Sequence, residues 1–388
     1  LQILIIGLST RALAESAVKA GYNVVTIDFF GDFDQRRLVK NLSLMRDFNL
    51  PPSEKNFLKV FPIFSSQVDF LVYTSPFENF PETVKKFENK LKILGNDHKC
   101  LKKSRNWRLV RSFLKESGIP FPETIFPEER PPHSGGWLEK PEKGGGGYKI
   151  KLWGGKGIKR GFFLQKQIKG KPCSAVFVAD GEKGLILGLT EQLIGIKEFG
   201  GEDFKWCGNI FPLEFKDRMN GESKLLSRME KIINTLTKAF NLRGINGLDF
   251  IINEETGDPV ITEVNPRYPA SAELIEFSSG ISVFDLHVKA CSGGISDSFF
   301  PIGRRSSEYF GKAILYAKKD IKIPEELSVF LSGKIKDIPF PGELIREGKP
   351  VCSVFSTGET REVCFEGLLR TVNVIEKQIL RVLGETSG

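Results

Sequence analysis

Apolar residues fall into two patterns along this chain. Gln2–Ile6, Asn23–Ile27 and Val68–Thr74 are nearly continuous apolar runs, the pattern of strands buried on both faces of a parallel sheet; Lys90–Leu94 is a shorter one. A turn, Gly7–Arg11, and a helix, Ala12–Ala20, closed by Gly21, separate the first two runs. The chain therefore opens as a β-α-β unit that ends near Gly95. Helical spacing then takes over. Arg105–Ser117 puts Trp107, Val110, Phe113 and Leu114 on one face, and Gly221–Asn241 does the same with Leu225, Met229, Ile232, Ile233 and Leu236. Strands are expected at Gly136–Pro141, Gly161–Gln165 and Cys173–Ala179, with a pair of short ones within Gly184–Gly195. Shorter helices are expected at Ala272–Phe277 and Val283–Cys291. Past about Pro301 the pattern shifts to short strands punctuated by Gly and Pro, at Phe310–Tyr316, Asp337–Gly342 and Pro350–Phe355, with a closing helix from Glu359 to Leu380. The expected fold is mixed α/β (α+β) in three parts: 1–96, 97–300 and 301–388, the middle part in lobes of 97–160 and 161–300.

The chemistry concentrates between Asn246 and Arg267. Two runs of period two flank the polar turn Asn253–Asp258, which reads as a β-hairpin. Folding about Thr256 sets Asp249 opposite Glu263, with Asn265 on the same face. Facing carboxylates repel, so the arrangement calls for a compensating charge. A Mg²⁺ (or Mn²⁺) ion would supply it, since it takes hard oxygen ligands and completes its shell with phosphates. Arg267 follows Pro266 and would reach an oxyanion held there. On hairpin geometry alone, a solvated acidic face is an equal alternative. Further upstream, Gly144, Gly145, Gly146 and Gly147 stand in a row just past Lys140. Such a run lets backbone N–H groups approach a ligand, as in phosphate-binding loops, although it is not followed by the Lys-Ser/Thr of a P-loop; the plain alternative is a flexible hairpin tip. Ser9, Thr10 and Arg11 sit at an expected helix N-terminus and Asp28 at a strand end, a place for an anionic or amino group of a substrate, or for simple helix capping. Only Gly7 of a dinucleotide fingerprint is present, so no nicotinamide cofactor is read.

Composition narrows the classes. The sequence has 388 residues, 40% of them hydrophobic and 27% charged, with a formal charge of +8. Between Lys85 and Lys115 eleven Lys/Arg face two acids. With few interleaved aromatics and no recognition motif, that stripe reads as a solvated helical face rather than a nucleic-acid surface. Six dispersed cysteines and three scattered histidines give no zinc spacing and suggest a reducing, cytoplasmic setting. No apolar run approaches the ~18 residues of a membrane span, and the first residues read as a strand rather than a signal peptide.

Taken in order, these pieces resemble the ATP-grasp superfamily. The carrying residues are Lys140-Pro141 before Gly144–Gly147, the strand Gln165-Lys-Gln-Ile168, and the hairpin with Asp249, Glu263, Asn265 and Arg267. Gln165–Gly181 and Asp337–Phe355 are similar to a branch of predicted ATP-dependent carboligases related to biotin carboxylase, and Gly348–Glu376 looks like the C-terminal module of biotin-carboxylase-like members. The resemblance implies an ATP-grasp fold behind a Rossmann-like domain. It implies ATP with its adenine at the Gln165 side chain and the backbone of Lys166 and Ile168, its phosphates at Lys140 and the glycine loop (Gly144, Gly145, Gly146, Gly147), and Mg²⁺ on Asp249, Glu263 and Asn265. Arg267 would stabilise an oxyanion. Two places depart from the family pattern. Many members carry an early Lys for the α-phosphate; Trp107 stands there, leaving Lys103, Arg105 or Arg108 to substitute. Many also carry an acid after the hinge strand for the ribose; Cys173 stands there, beside Ser174. The implied activity is an ADP-forming ligase joining a small-molecule carboxylate to an amine through an acyl phosphate. The alternatives are a bicarbonate-using carboxylase and a non-catalytic nucleotide-binding protein. Neither nucleic acid nor membrane is an expected partner, and a homodimer is one assembly the resemblance allows.

Overall fold

The computed structural model describes residues 2–132, 135–214, 221–295, 307–325 and 333–382. Its N-terminal part is a five-stranded parallel sheet: β1 (Gln2–Ile6), β2 (Asn23–Asp28), β3 (Lys40–Ser43), β4 (Phe70–Tyr73) and β5 (Lys92–Ile93), in the order β3-β2-β1-β4-β5. Ile3, Leu4, Ile5 and Ile6 are all fully buried, as the continuous apolar run requires. The helix after β1 spans Arg11–Lys19.

A small four-stranded sheet follows, ordered β6-β9-β7-β8, from β6 (Thr124–Ile125), β7 (Trp137–Pro141), β8 (Lys151–Leu152) and β9 (Phe162–Lys166). The glycine run connects β7 to β8. The largest sheet contains β10 (Gly170–Asp180), β11 (Gly184–Ile194), β12 (Trp206–Phe211), β13 (Arg243–Asn253) and β14 (Pro259–Asn265). It continues through β15 (Tyr309–Tyr316), and through strands Ile335–Lys336 and Pro350–Gly358, in eight-stranded order. The β12–β15 ladder, Gly208 opposite Ala313 and Phe211 opposite Phe310, makes the C-terminal strands part of that sheet. The helix Gly221–Phe240 covers one face with the apolar stripe read from its spacing. Helices Ala272–Ser279 and Val283–Gly293 lie between the large sheet and the N-terminal sheet, where Phe284, Ile3, Val72 and Ile245 share one core. The helix Arg361–Val382 covers the C-terminal strands through Cys364, Leu368, Val372 and Ile375. No helix among the described residues is long and apolar enough to cross a membrane.

Two strand expectations change. Gly184–Gly195 holds one strand rather than a pair. Gly188 does not break it, because a side chain there would collide with Phe211 and Ile275: glycine serves packing, and a bulge absorbs the extra residue. Asp337–Gly342 forms no strand. Asp337 has φ of 55°, and Pro339 and Pro341 lack the N–H a ladder needs. β12 has no counterpart in the sequence reading: its apolar residues come in adjacent pairs around Gly208 and Asn209 instead of alternating.

Candidate functional site

A cleft of about 400 Å³ lies between the small sheet and the large one, lined by residues from both, including Lys140, Gln165, Asp249, Glu263 and Arg267. On the large sheet, Asp249 of β13 pairs with Glu263 of β14, and Gly247 with Asn265, the register expected from the hairpin. A bulge follows directly: Phe250 pairs with Ile261, leaving Thr262 extra. The bulge lets Ile261 and Val264 stay in the core while Thr262 and Glu263 both line the cleft. Asn265 Nδ2 donates to Asp249 Oδ2 at 2.9 Å, and Gln192 Nε2 donates to Oδ1 at 3.0 Å.

Burial, and then the facing Glu263, push the Asp249 carboxyl up to about 7. Burial works the same way on Glu263, but Arg105, Lys140 and Arg267 outweigh it and hold that carboxyl below its usual range. The two carboxyls are thus driven apart, Asp249 upward and Glu263 downward. Such a pair suits a divalent cation, whose charge would favour ionisation of both carboxylates.

On the opposite wall, Lys140 of β7 and Gln165 of β9 are adjacent. Lys140 Nζ donates to Gln165 Oε1 at 2.9 Å. Burial lowers the lysine's pKa, with Glu263 and Asp249 opposing the shift. Gln165 is 2% exposed, and its Nε2 is buried without a partner. Such a donor usually has a partner when its site is filled. Lys166 and Ile168 also line the cleft, though the Lys166 N–H already donates to the Glu123 carbonyl at 2.8 Å.

The glycine loop reaches across the cleft: Trp206 N–H donates to the Gly146 carbonyl at 3.1 Å. Gly146 and Gly147 line the cleft, with φ of 60° and 76°, and a Cβ at Gly147 would lie 1.8 Å from the Phe204 carbonyl oxygen. Here glycine is required by both conformation and contact. The first half of the run is placed differently. Gly144 and Gly145 line a neighbouring cavity instead of the cleft, and the Gly145 carbonyl accepts from the Tyr148 N–H at 3.2 Å, which tightens the loop into a turn.

Of the three cations proposed for the place of the early Lys, Arg105 enters the site. Its Nη1 donates to Glu263 Oε1 at 2.7 Å and to the Val264 carbonyl at 3.0 Å. Lys103 is exposed, and Arg108 is engaged by Glu128 and Glu142 on the surface. Trp107 packs on Phe163 at 4.6 Å, with Lys140 Nζ 5.5 Å from its ring. Cys173 points into the core, fully buried, while its neighbours Pro172 and Ser174 line the cleft.

The N-terminal part contributes two residues that carry no mark in the sequence. Glu78 accepts from Arg267 Nε at 2.8 Å and is 1% exposed. Asn79 Oδ1 accepts from Arg105 Nη2 at 2.7 Å, while its Nδ2 donates to the Gly144 carbonyl at 3.3 Å. Only the long-range fold places them, since they precede Arg267 by almost two hundred residues. Gln192 is likewise unmarked by any local signal.

The neighbouring cavity, of about 610 Å³, adjoins the cleft and shares Gly146, Trp206, Arg267, Pro269 and Ala270 with it. Ser9 and Arg11 line it; Thr10 and Asp28 do not. Thr10 Oγ1 donates to Asp28 Oδ2 at 2.8 Å in a buried cluster with Gln35 and Asn41. Burial raises the Asp28 pKa against those hydrogen bonds. Arg11 is paired with Glu15, Glu273 and Asp337. The structure therefore separates the four residues grouped from sequence: two at a cavity wall and two in the interior.

Residues 105–271 match the family model described as ATP-grasp domain. An uncharacterized protein of Methanocaldococcus jannaschii is 22% identical over 94% of this chain and 90% of its own. Among solved structures, the chain is similar to the biotin carboxylase domain of 2-oxoglutarate carboxylase from Hydrogenobacter thermophilus, solved as a dimer with MgADP, ADP and bicarbonate. The TM-score is 0.71 at 14% identity, over 94% of this chain and 88% of that one. It is also similar to an L-amino acid ligase from Bacillus licheniformis, with TM-score 0.68 at 17% identity, over 96% and 97% of the two chains. Both walls of the 400 Å³ cleft are drawn from residues 105–271, so the cleft lies wholly within the stretch that matches the ATP-grasp domain.

Proposed function

We propose that this protein is an ATP-dependent carboxylate–amine ligase that releases ADP and phosphate. The observation that carries the reading is the meeting of two cavities at Arg267, one of them walled by the facing Asp249 and Glu263. A reaction of this class needs a nucleotide compartment, an adjoining acceptor compartment and cationic groups where they meet.

In this reading the unpaired Gln165 amide and the neighbouring Lys166 and Ile168 receive the adenine. Lys140, Arg105 and the loop Gly144–Gly147 receive the phosphates, with Gly145 on the side of the acceptor compartment. Asp249, Glu263 and Asn265 hold Mg²⁺, which neutralises charge on the outer phosphates when bound. A carboxylate oxygen of the acceptor attacks the γ-phosphorus while the bond to the ADP oxygen breaks. The amine then attacks the acyl carbon, phosphate departs, and the nitrogen loses a proton. Arg267 faces this junction and stabilises the oxygen that gains charge. Glu78 and Asn79 hold the two arginines in place, so the side chains need no reorganisation as charge develops.

The test is ADP release measured with Mg-ATP against a panel of carboxylic acids, each paired with amines. ADP release that requires both an acid and an amine, with the amide found by mass spectrometry, supports the reading. Release that requires bicarbonate and no added acid would replace it with a carboxylase. Mg-ATP binding with no release for any pair would leave a nucleotide-binding protein instead.

A further inference from the structure

The 610 Å³ cavity is distinctive for how its charges are arranged. Its wall carries five cationic and five carboxylate side chains, so its formal charge is balanced. The balance is local. Arg11 is 1% exposed, and every one of its nitrogens is engaged: Nε with Asp337 Oδ1 at 2.9 Å, Nη1 with Glu15 and Glu273, Nη2 with Glu273 and Asp337. Lys312, 5% exposed, donates to Glu273 Oε2 at 2.6 Å. These two buried cations are consumed by protein carboxylates. A phosphate group needs several uncommitted donors converging on it, and this floor does not offer them.

One carboxylate on the wall is differently placed. Glu276 is 5% exposed and uses Oε2 for Ser16 Oγ and for the Val283 N–H. The cation near its Oε1 is Lys19, at 3.6 Å, beyond a hydrogen bond and half exposed to solvent. A buried carboxylate oxygen with so weak a partner favours an ammonium group. Leu13, Phe80, Phe277 and Ile314 give the cavity apolar surface as well. Arg267 and the glycine loop line the same cavity.

We propose that this cavity is the acceptor site, and that it takes an unphosphorylated zwitterion of amino acid or dipeptide size, with its ammonium at Glu276, an apolar body, and its carboxylate toward Arg267. The proposal rests on the ligase reading and names its substrate class. Its volume falls within the ~300–1,000 Å³ of small-molecule sites and exceeds the needs of a single small amino acid.

The test uses calorimetry on the full chain with Mg-ADP present. The probes are L-phenylalanine, L-phenylalanyl-L-leucine, 3-phenylpropionate, phenethylamine, O-phospho-L-serine and ribose 5-phosphate. The zwitterions should bind at least tenfold more tightly than the two phosphorylated compounds and than the compounds lacking one pole. Glu276→Gln keeps an oxygen for Ser16 and Val283 and removes only the charge. It should weaken the zwitterions about tenfold and leave 3-phenylpropionate unchanged. A thermal midpoint within a few degrees of the parent confirms that the variant folds. Tighter binding of either phosphorylated probe, no binding of either zwitterion, or equal weakening of 3-phenylpropionate by the variant would each overturn the proposal. Mg-ATP affinity and ADP release are measured separately. ADP release driven by a phosphorylated acid and an amine would keep the ligase reading and discard this one. Failure to bind Mg-ATP would discard the ligase reading itself.

Discussion

At the scale of single residues, the site is a set of charges whose protonation is set by their neighbours. Burial and the facing Glu263 raise the Asp249 carboxyl, while Arg105 and Lys140 favour ionised Glu263. Glu263→Gln should therefore lower ADP release by roughly 100-fold or more, the usual cost of removing a group that stabilises developing charge, and should weaken binding of Mg-ATP. Far-UV circular dichroism should be unchanged; full activity in this variant would refute the metal assignment. Glu78 is as important for a different reason. The guanidinium of its partner Arg267 has one other hydrogen bond among the described residues, to the Tyr268 carbonyl at 3.3 Å. Glu78→Ala should cost about 3 kcal/mol in urea denaturation, because it strands a largely buried guanidinium. Asp249, Glu263, Asn265 and Arg267 are legible in sequence because a hairpin converts spacing into facing. Glu78, Asn79 and Gln192 are not, because nothing local distinguishes an acid or amide that will meet its partner across the molecule.

At the scale of elements, the glycine loop and the hairpin show what periodicity can and cannot convey. Four glycines in a row announce a close backbone approach, and the approach is to Phe204 and Trp206 as well as to the cleft. Their division between two cavities, Gly144 and Gly145 on one and Gly147 on the other, is set by the fold and has no trace in the run itself. Gly147→Ala should force the loop out of position. The strain of a β-carbon at that φ, about 1–3 kcal/mol, corresponds to roughly tenfold weaker Mg-ATP binding by calorimetry, with little change in thermal midpoint. The alternation in Asn246–Arg267 is enough to set the Asp249–Glu263 register, yet the bulge at Thr262 is invisible, since an extra residue on one strand leaves no compositional mark. The single long strand Gly184–Ile194 runs against its sequence, because an internal glycine ordinarily signals a break and here makes room for Phe211 and Ile275. At Asp337–Gly342 the opposite holds: the two prolines are plain in the sequence, and they outweigh the apolar alternation around them.

At the scale of the whole molecule, the parts are joined by buried polar contacts as well as by apolar packing. His287, on the helix Val283–Gly293, accepts from the Ile245 N–H at 2.9 Å through Nδ1. Its Nε2 lies 3.0 Å from the Leu94 carbonyl, so the neutral ring with hydrogen on Nε2 fits both. Burial lowers its pKa from 6.5 to about 4. Between those values the unfolded chain binds the extra proton. The stability His287 provides is thus complete above about pH 6.5 and lost as pH falls toward 4, an effect on the order of 3 kcal/mol. Urea denaturation at pH 7 and pH 4.5 should show a smaller loss in His287→Gln than in the parent; equal losses would remove His287 from the account. The β12–β15 ladder has a mechanical consequence. The wall of the cleft that bears Asp249 and Glu263 is one continuous eight-stranded sheet, reinforced by hydrogen bonds from end to end, whereas the wall that bears Lys140 and Gln165 is a separate sheet that, among the described residues, shares no ladder with it. On the proposed reading, opening of the cleft would fall to the lighter wall and would break the Trp206–Gly146 bond. On that reading, the rate at which nucleotide enters and leaves would be set by the small four-stranded sheet and its glycine loop rather than by the sheet that carries the acids.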